Sequence, residues 1–263
     1  MNSLELQMVD HLKKLKRDLG AVEVKAEFEA EGSRLYELMR LKEIATWAGL
    51  GLVLKIGGAE AVTDMFYAQN LGIDVLVAPM VESGYALKKY LEAIDKHFSK
   101  EMKKATRFCV MIETYQAYKN TDEILKQKLG HLISMVTLGR VDMCGSLDLA
   151  RVDINCDKIL KIATDLFTKA KKKGLKTTIG GGIAKEAIPF IKELVSKKLL
   201  DRYETRKIVF DANKTNDSII QKGIIEANKF ELMWLQNKKN YYTNIATEDD
   251  LRIVMLNSRV PGK

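Results

Sequence analysis

A repeated alternation of short apolar runs and longer amphipathic stretches is the feature that most limits what this chain can fold into. Each apolar run is followed, after a turn, by a stretch with apolar residues at positions three and four apart. The predicted strands cover residues 22–29, 51–57, 74–81, 107–113, 131–139, 176–181 and 207–212. Strands that are apolar along nearly their whole length and alternate with helices predict a parallel sheet covered by helices.

The helical stretches complete the architecture. The predicted helices cover residues 1–20, 35–48, 59–71, 85–98, 120–128, 157–173 and 188–198, followed by a helical tail within 219–263. No segment rich in Pro, Gly and Ser marks a linker, so 1–263 is predicted to be a single domain. We predict a (β/α)8 TIM-type barrel with an irregular first element and extra terminal helices, and a doubly wound open sheet as the alternative. Only seven strands are evident, so the eighth is irregular, lost or hidden in the N-terminal segment.

Composition excludes several classes of protein. The longest uncharged run, residues 44–54, is about half of the roughly 20 residues that a membrane span needs. Glu5 and Asp10 interrupt the N-terminal stretch, which therefore does not resemble a signal peptide, and we predict a cytoplasmic protein without membrane contact. The cysteines Cys109, Cys144 and Cys156 form no CxxC pair, which indicates reduced thiols.

A formal charge of +8 raises the question of nucleic-acid binding. The lysines fall in short groups near the ends of helical stretches, where cations favour the helix dipole, and no aromatic residues are interleaved with them. A solvated basic surface is the preferred interpretation, and we predict no nucleic-acid partner.

Charged and glycine residues follow most of the predicted strands. In a parallel sheet these positions gather at one face, where barrel enzymes carry their sites. They are Glu27, Glu29, Lys55, Gly57, Gly58, Glu82, Glu113, Arg140, Asp142, Gly180, Gly181, Gly182 and Asp211. Carboxylates outnumber cations in this set, and oxygen ligands without nearby His or Cys select Mg²⁺ or Mn²⁺ over Zn²⁺. The sequence therefore predicts a divalent-metal site at this face.

Three segments carry a resemblance to a known family. They are "GIDVLVAPMVESGYAL", "MIETYQAYKNTDEIL" and "VTLGRVDMCGSLDLA", and together they resemble the HpcH/HpaI aldolase and citrate lyase beta-subunit family as a divergent member. The resemblance implies a (β/α)8 barrel that holds a 2-oxo acid such as pyruvate through a divalent metal. By position it implies that Glu113 and Asp142 are the metal ligands, an arrangement compatible with one octahedral cation. The alternative is that both carboxylates cap the helices that follow them.

The sequence departs from the family pattern at specific positions. Lys55 stands where family aldolases place an arginine, and an ammonium group cannot form a two-pronged bond to a carboxylate. The family's histidine base, which follows an early strand, has no counterpart in this chain. The segment after the first predicted strand carries Glu27, Glu29 and Glu31 instead. The motif G-P-x-D becomes Gly139-Arg140-Val141-Asp142, so Arg140 is predicted to supply the fork that Lys55 lacks.

A glycine turn at the same face is a second candidate feature. Gly180, Gly181 and Gly182 lie between a predicted strand and a helix, where bare N–H groups can approach a phosphate or carboxylate of a substrate or cofactor. A tight barrel turn with no ligand is the alternative. We predict that this turn is an anion-binding segment.

These observations combine into one hypothesis and several alternatives. The first is a metal-dependent carbon–carbon lyase of the aldolase type, in which Lys55 and Arg140 hold a 2-oxo acid carboxylate and Glu29, within the 27–31 segment, or a metal-bound water moves the proton. The same site run as a condensing enzyme is the second. A barrel that has lost catalysis and serves as a binding or scaffold protein is the third. The resemblance also implies a homo-oligomer that exchanges terminal helices.

Overall fold

The structure is a computed structural model that describes residues 1–128, 130–214 and 216–260. Eight strands close into a barrel in chain order. They are β1 (Ala21–Glu27), β2 (Gly51–Lys55), β3 (Val75–Ala78), β4 (Arg107–Ile112), β5 (Ile133–Gly139), β6 (Lys176–Gly180), β7 (Arg202–Glu204) and β8 (Ile208–Asp211). The predicted TIM-type barrel is confirmed, and each predicted strand coincides with an observed one.

Helices surround the barrel. They are α1 (Ser3–Leu19), α2 (Leu35–Trp47), α3 (Val62–Leu71), α4 (Gly84–His97), α5 (Lys100–Ala105), α6 (Tyr115–Lys119), α7 (Thr121–Ile124), α8 (Arg140–Gly145), α9 (Asp157–Lys172), α10 (Ile188–Ser196) and α11 (Asp217–Asn257). Several begin with a side-chain cap, as Asn2 does for α1 and Ser83 does for α4. Of the stretch predicted as one helix at 120–128, only α7 is helical, and the separate short helix α6 ends immediately before it at Lys119.

The last strand of the barrel runs backwards. Neighbouring strands from β1 to β7 are parallel, whereas β8 is antiparallel to both β7 and β1. A connection of only three residues, Thr205 to Lys207, joins β7 to β8, which is possible because antiparallel strands need no crossover helix. The reversed element is therefore at the end of the barrel, and β1, a strand of seven residues, has a register shift between Ala21 and Glu23 where it pairs with β8.

This reversal changes the position of Asp211. The register pairs Asp211 with Arg202, the first residue of β7, so Asp211 lies at the amino end of the parallel strands. The sequence prediction placed Asp211 at the functional face because it assumed that every strand points the same way. That prediction is wrong, and Glu204 ends β7 at the functional face instead.

The barrel interior combines a small apolar cluster with charged side chains. The apolar part contains Val53, Val75, Val77, Cys109, Met111, Met135 and Val209. Burial raises the pKa of the Cys109 thiol to about 12, so this cysteine is an inert packing group. The main hydrophobic core lies outside the barrel, between the strands and the helices.

Buried ion pairs fill the rest of the interior. Glu23, near the amino end, lies 2.7 Å from Arg202 Nη1 and 2.6 Å from Arg107 Nη2. Lys25, one layer higher, lies between Glu204 and Glu27. The three β1 charges are spaced two residues apart, so they project from one face of the strand. Each buried charge thus has a partner of opposite sign, which offsets much of its desolvation cost.

The terminal helices pack together along the barrel. His11 of α1 contacts the backbone oxygen of Glu226 at 2.8 Å, and Asn2 donates to the side chain of Asn237 at 2.8 Å. The predicted tail corresponds to α11, and residues 261–263 of that prediction lie outside the described residues. None of the helices in the described part of the chain is long and apolar enough to cross a membrane.

Candidate active site

A cavity of about 410 Å³ opens at the carboxyl end of the barrel strands. Its charged lining consists of Glu27, Glu29, Glu113, Asp142, Glu204, Glu231, Lys25, Lys55, Arg151 and Arg206. Six of these side chains are carboxylic acids and four are cationic. The cavity therefore has an excess of negative charge that favours a bound cation.

Glu113, directly after β4, is the most deeply buried of these carboxylates, with no exposed surface. Its Oε1 accepts a hydrogen bond from Met80 N at 2.8 Å, whereas Oε2 has no hydrogen-bond partner among the described residues. Burial raises the pKa of Glu113, with smaller contributions in the same direction from Asp142 and Glu29, against the opposing influence of Lys55. An acceptor oxygen held without a donor at a cavity wall can receive a cation.

Lys55, the last residue of β2, lies between carboxylates. Its Nζ is 2.9 Å from Glu29 Oε2 and 3.7 Å from Glu113 Oε2. Burial favours the neutral amine, but Glu113, Glu29 and Glu27 outweigh that effect and raise the pKa of Lys55. Lys55 is thus a fixed cation at neutral pH and not a base.

A second cation, Lys25, forms the floor of the cavity. Its ammonium group lies 2.9 Å from Glu27 Oε1 and is hydrogen-bonded to Glu204 Oε1. Burial lowers the pKa of Lys25, but these two carboxylates have the larger combined effect and raise it. A protonated amine with two anionic partners holds the carboxylates of β1 and β7 in place.

Asp142 lies in the first turn of α8, and its exposed side chain lines the cavity. Glu113 and Asp142 follow the adjacent strands β4 and β5, and the charge of Asp142 contributes to the raised pKa of Glu113. The structure thus brings the two predicted metal ligands to the same cavity.

Arg140 has a different environment from the one predicted. Its guanidinium is fully buried and donates to the carbonyl oxygens of Gly180, Gly181 and Gly182 at 3.2, 2.7 and 3.3 Å. It also donates to Asn155 Oδ1 at 2.6 Å and lies 4.9 Å from the centre of the Phe190 ring. Burial lowers the pKa of Arg140 to about 10, which still leaves it charged at neutral pH. Arg140 does not line the cavity, so its guanidinium group holds the backbone of the glycine turn in place and does not contact a ligand in the cavity.

The glycine turn lies partly in the cavity wall. Gly181 and Gly182 line the cavity, and both have a positive φ, of 78° and 63°. Gly180 does not line it, and a Cβ at this position would lie 2.8 Å from Glu204 Oε1. Gly181 and Gly182 therefore satisfy a backbone requirement, and Gly180 makes room for a neighbouring carboxylate.

Other predicted strand-end residues lie away from the cavity. Glu82 accepts a hydrogen bond from Thr114 Oγ1, and Gly57 N donates to Asp64 Oδ2 at 2.7 Å. The first contact joins the residue before the N-cap of α4 to the N-cap of α6, and the second joins the segment after β2 to the first turn of α3. These positions have structural tasks at the barrel rim.

Several cavity residues were not found from the sequence. They are Lys25, Glu204, Arg151, Arg206, Asn228 and Glu231. The charges at Glu23, Lys25 and Glu27, spaced by two, are a signal that one face of β1 is polar. No local pattern indicates that α11 reaches the cavity, because that contact depends on the reversal of β8.

Comparison with known proteins places the chain in a family. The sequence profile described as HpcH/HpaI aldolase/citrate lyase matches residues 42–180, which is more than half of the chain. The chain belongs to the HpcH/HpaI aldolase/citrate lyase family. A comparison with curated proteins gives no match.

Solved structures of this family share the fold at low sequence identity. A family protein from Burkholderia cenocepacia J2315 is 13% identical, with a TM-score of 0.58 over 73% of this chain and 89% of that chain. The HpcH/HpaI aldolase from Desulfitobacterium hafniense DCB-2 is 14% identical, with a TM-score of 0.59 over 73% and 79%. The citrate synthase SbnG is 13% identical, with a TM-score of 0.63 over 90% of each chain.

Members of the HpcH/HpaI family are lyases or aldolases that bind small carboxylate substrates. Family members generally depend on a divalent metal, and the cavity residues of this chain can be compared with the ligands that such a metal needs. Within the described residues, no three His, Cys, Asp or Glu side chains form a ready-made metal cluster. Glu113 Oε2 and Asp142 nevertheless supply oxygen ligands on one cavity, and Gly139 leaves space for the Glu113 carboxylate. These residues fit a cation with two protein ligands that takes its other ligands from water and substrate.

Proposed function

We propose that this protein is a divalent-metal-dependent carbon–carbon lyase of the aldolase type that acts on a 2-oxo acid. The buried Glu113 Oε2, which has no donor among the described residues, is the observation that carries the proposal. An ionised carboxylate in such a position is costly unless a cation or a hydrogen bond compensates it. The excess of acids over cations in the cavity lining supports the same conclusion.

Glu113 and Asp142 would hold Mg²⁺ or Mn²⁺, which supplies Lewis-acid stabilisation of negative charge on the keto oxygen of the substrate. Lys55 contributes a fixed positive charge beside Glu113 and attracts the carboxylate of the 2-oxo acid. Because its pKa is raised, Lys55 keeps that charge throughout the reaction.

Glu29 is the proposed proton carrier. Its carboxylate contacts Lys55 Nζ at 2.9 Å, and its side chain is 29% exposed, so it can exchange protons with water. In the cleavage direction Glu29 accepts the proton of the hydroxyl group whose oxygen becomes the new carbonyl. The electrons of the broken carbon–carbon bond remain on the 2-oxo acid fragment as an enolate, whose carbon then takes a proton from the protonated Glu29 or from water.

The condensing direction uses the same groups. A proton carrier and a fixed cation act equally on a reaction and its reverse, so the geometry serves both directions. Analysis of products from paired donor and acceptor substrates decides between cleavage and condensation. A barrel without catalysis is the remaining alternative, and turnover of any 2-oxo acid donor would exclude it.

Calorimetric titration with oxalate, a planar dianion that resembles the enolate of pyruvate, tests the proposal. We expect oxalate to bind with Mg²⁺ or Mn²⁺ and not after chelation of the metal. Glu113→Gln and Asp142→Asn should each lose this binding, whereas Glu82→Gln, which changes a strand-end carboxylate outside the cavity, should retain it. Metal binding by both site variants at the level of the parent protein would contradict the proposal.

We also propose that α11 contributes to a homo-oligomer. Its distal half exposes several large apolar side chains, namely Ile245, Leu251, Ile253, Val254 and Leu256. A row of exposed apolar residues on one element is typical of an interaction surface. Light scattering of the parent protein and of a Leu251→Lys/Val254→Lys variant tests this, because a monomeric parent would contradict it.

A further inference from the structure

Four cationic side chains line the active-site cavity, and one of them differs from the rest. Lys25 is paired with Glu27 and Glu204, Lys55 with Glu29, and Arg206 with Glu31 through a contact of 3.1 Å. Arg151 forms no ion pair or side-chain hydrogen bond with any residue that the structure describes, and its side chain is exposed. It is therefore the cavity cation available to a ligand.

Arg151 lies across the cavity from the β1 carboxylates. It begins the 3₁₀ turn Arg151–Asn155, which follows β5 and α8, and β5 stands opposite β1 in a barrel of eight strands. The Lys55 end of the cavity is thus occupied by carboxylates and their partners, whereas the opposite end carries the unpaired Arg151 together with the Asp142 carboxylate. A substrate bound at Lys55 would extend towards Arg151.

The turn that carries Arg151 is fixed in position. Asp153 Oδ2 accepts a hydrogen bond from Ala150 N at 3.0 Å, which caps the turn. Ile154 is 8% exposed and packs against Gly182, where a Cβ atom would lie 2.3 Å from Ile154 Cδ1. Arg140 joins Asn155, at the end of this turn, to the glycine turn after β6. Arg151 and the glycine turn therefore form one rigid wall.

The hydrogen bonds of Arg140 also orient the backbone of that wall. In a trans peptide the C=O and N–H groups point in opposite directions. The carbonyl groups of Gly180, Gly181 and Gly182 point to the guanidinium, so the N–H groups of the three residues that follow them point away from it. These N–H groups belong to Gly181, Gly182 and Ile183, all of which line the cavity, and none donates to another described residue.

We propose that Arg151 and the N–H groups of Gly181, Gly182 and Ile183 form a subsite for a second anionic group, a carboxylate or a phosphate, at the distal end of the substrate. Unpaired N–H groups beside an arginine are suited to either anion. The inference rests on the proposed function, because it assigns a binding site to the distal group of the same 2-oxo acid substrate. It also identifies Arg151, and not Arg140, as the arginine that contacts the substrate.

The first experiment measures the subsite without the metal. Inorganic phosphate is titrated into metal-free protein and followed by phosphorus NMR. We expect Arg151→Met to weaken phosphate binding by about tenfold or more, the effect of losing hydrogen bonds to a charged group. Lys185→Met removes a positive charge from the segment after β6, at a position outside the cavity, and should change the affinity by less than about twofold.

The second experiment compares matched ligands in the presence of Mn²⁺. These are 2-oxopentanoate, 2-oxoglutarate and the phosphonate analogue of 2-oxoglutarate, which differ only in the distal group. We expect the two ligands with an anionic tail to bind about tenfold or more tightly than the ligand with a methyl tail, and Arg151→Met to abolish this preference. Whichever of the carboxylate and phosphonate ligands binds with the higher affinity identifies the natural distal group.

The outcomes separate this inference from the proposed function. Equal phosphate affinities for the parent and Arg151→Met, or equal affinities of the parent for methyl and anionic tails when oxalate does bind, would overturn the subsite. Oxalate binding by Arg151→Met at the parental level would leave the proposed function intact in either case. If oxalate does not bind the parent at all, the proposed function fails, and the phosphate titration alone decides whether the subsite exists.

Discussion

A Cβ atom on Gly139 would lie 2.6 Å from Oε2 and 2.7 Å from Cβ of Glu113. The absence of a side chain at the end of β5 thus allows the carboxylate that follows β4 to occupy the cavity wall. We expect Gly139→Ala to displace Glu113 and to weaken metal-dependent oxalate binding by about 10- to 100-fold, as for other changes around metal ligands. Gly145→Ala is the control, since a Cβ there meets no atom within 4 Å. Calorimetry with Mn²⁺ measures the effect.

Substitution of Glu113 should separate stability from function. Because Glu113 is buried with one oxygen lacking a donor, Glu113→Gln removes a desolvated charge, and the metal-free variant should be at least as stable as the parent. Saturating Mn²⁺ at about 100 times its Kd should add about 2.7 kcal/mol to the parent alone. Urea denaturation with and without Mn²⁺ tests this, with Glu101→Gln on exposed α5 as the control. Equal stabilisation of parent and variant would show that the metal binds elsewhere.

The buried ammonium group of Lys25 should be important for folding. Lys25→Met leaves Glu27 and Glu204 without their shared cation, and removal of one partner from a buried ion pair costs about 3–5 kcal/mol. A double variant that also carries Glu204→Gln should recover part of this loss, because one stranded charge is removed. Equilibrium denaturation of both single variants and of the double variant gives the coupling energy. Additive effects would mean that the two side chains act independently.

Arg140→Lys distinguishes a backbone clamp from a substrate-binding arginine. Lysine keeps the charge but cannot reach the three glycine carbonyls and Asn155 together, so we expect a loss of about 1–3 kcal/mol in stability. Oxalate affinity in the presence of Mn²⁺ should stay close to that of the parent, because Arg140 does not line the cavity. If Arg140→Lys remains folded but no longer binds oxalate, Arg140 contacts the substrate after all.

Asp201 should contribute to stability in a pH-dependent way. Burial opposes its ionisation, but hydrogen bonds from Lys171 and from Thr177 N, at 2.7 Å, outweigh burial and lower its pKa below the ordinary 3.8. Its contribution is therefore complete above pH 3.8 and is lost as the pH falls through the lower folded-state pKa. Asp201→Asn should be less stable than the parent at pH 6, and the difference should shrink towards pH 2. Urea denaturation across this range tests the sign, with Asp249→Asn on the exposed distal half of α11 as the control.

The sequence indicated much of the site because strand ends have a local signal. Lys55 and Glu113 end or directly follow apolar runs, so a parallel sheet is enough to place them at one face. Asp142 follows the same rule in the first turn of α8. Their common position depends only on strand direction, which the alternation of strands and helices determines correctly for the first six strands.

The rest of the site depends on three-dimensional relationships without a local signal. Arg140 and Asp142 are two residues apart, yet one side chain is buried behind the glycine turn and the other is exposed in the cavity. Residues in the first turn of a helix point in different directions, so adjacency to a strand end does not decide which side chain meets a ligand. The roles of Glu204 and Arg151 require the reversal of β8 and the packing of the 3₁₀ turn, respectively.

The reversed β8 has a consequence for how the barrel folds. A parallel eighth strand would require another helical crossover before the barrel could close, and such long-range connections slow folding. Here β7 and β8 can pair as a local hairpin across three residues and then dock between β6 and β1. We therefore infer that closure, the step with the largest entropy cost in a barrel, is made by the addition of a preformed unit, so the barrel gains its last two strands in one event.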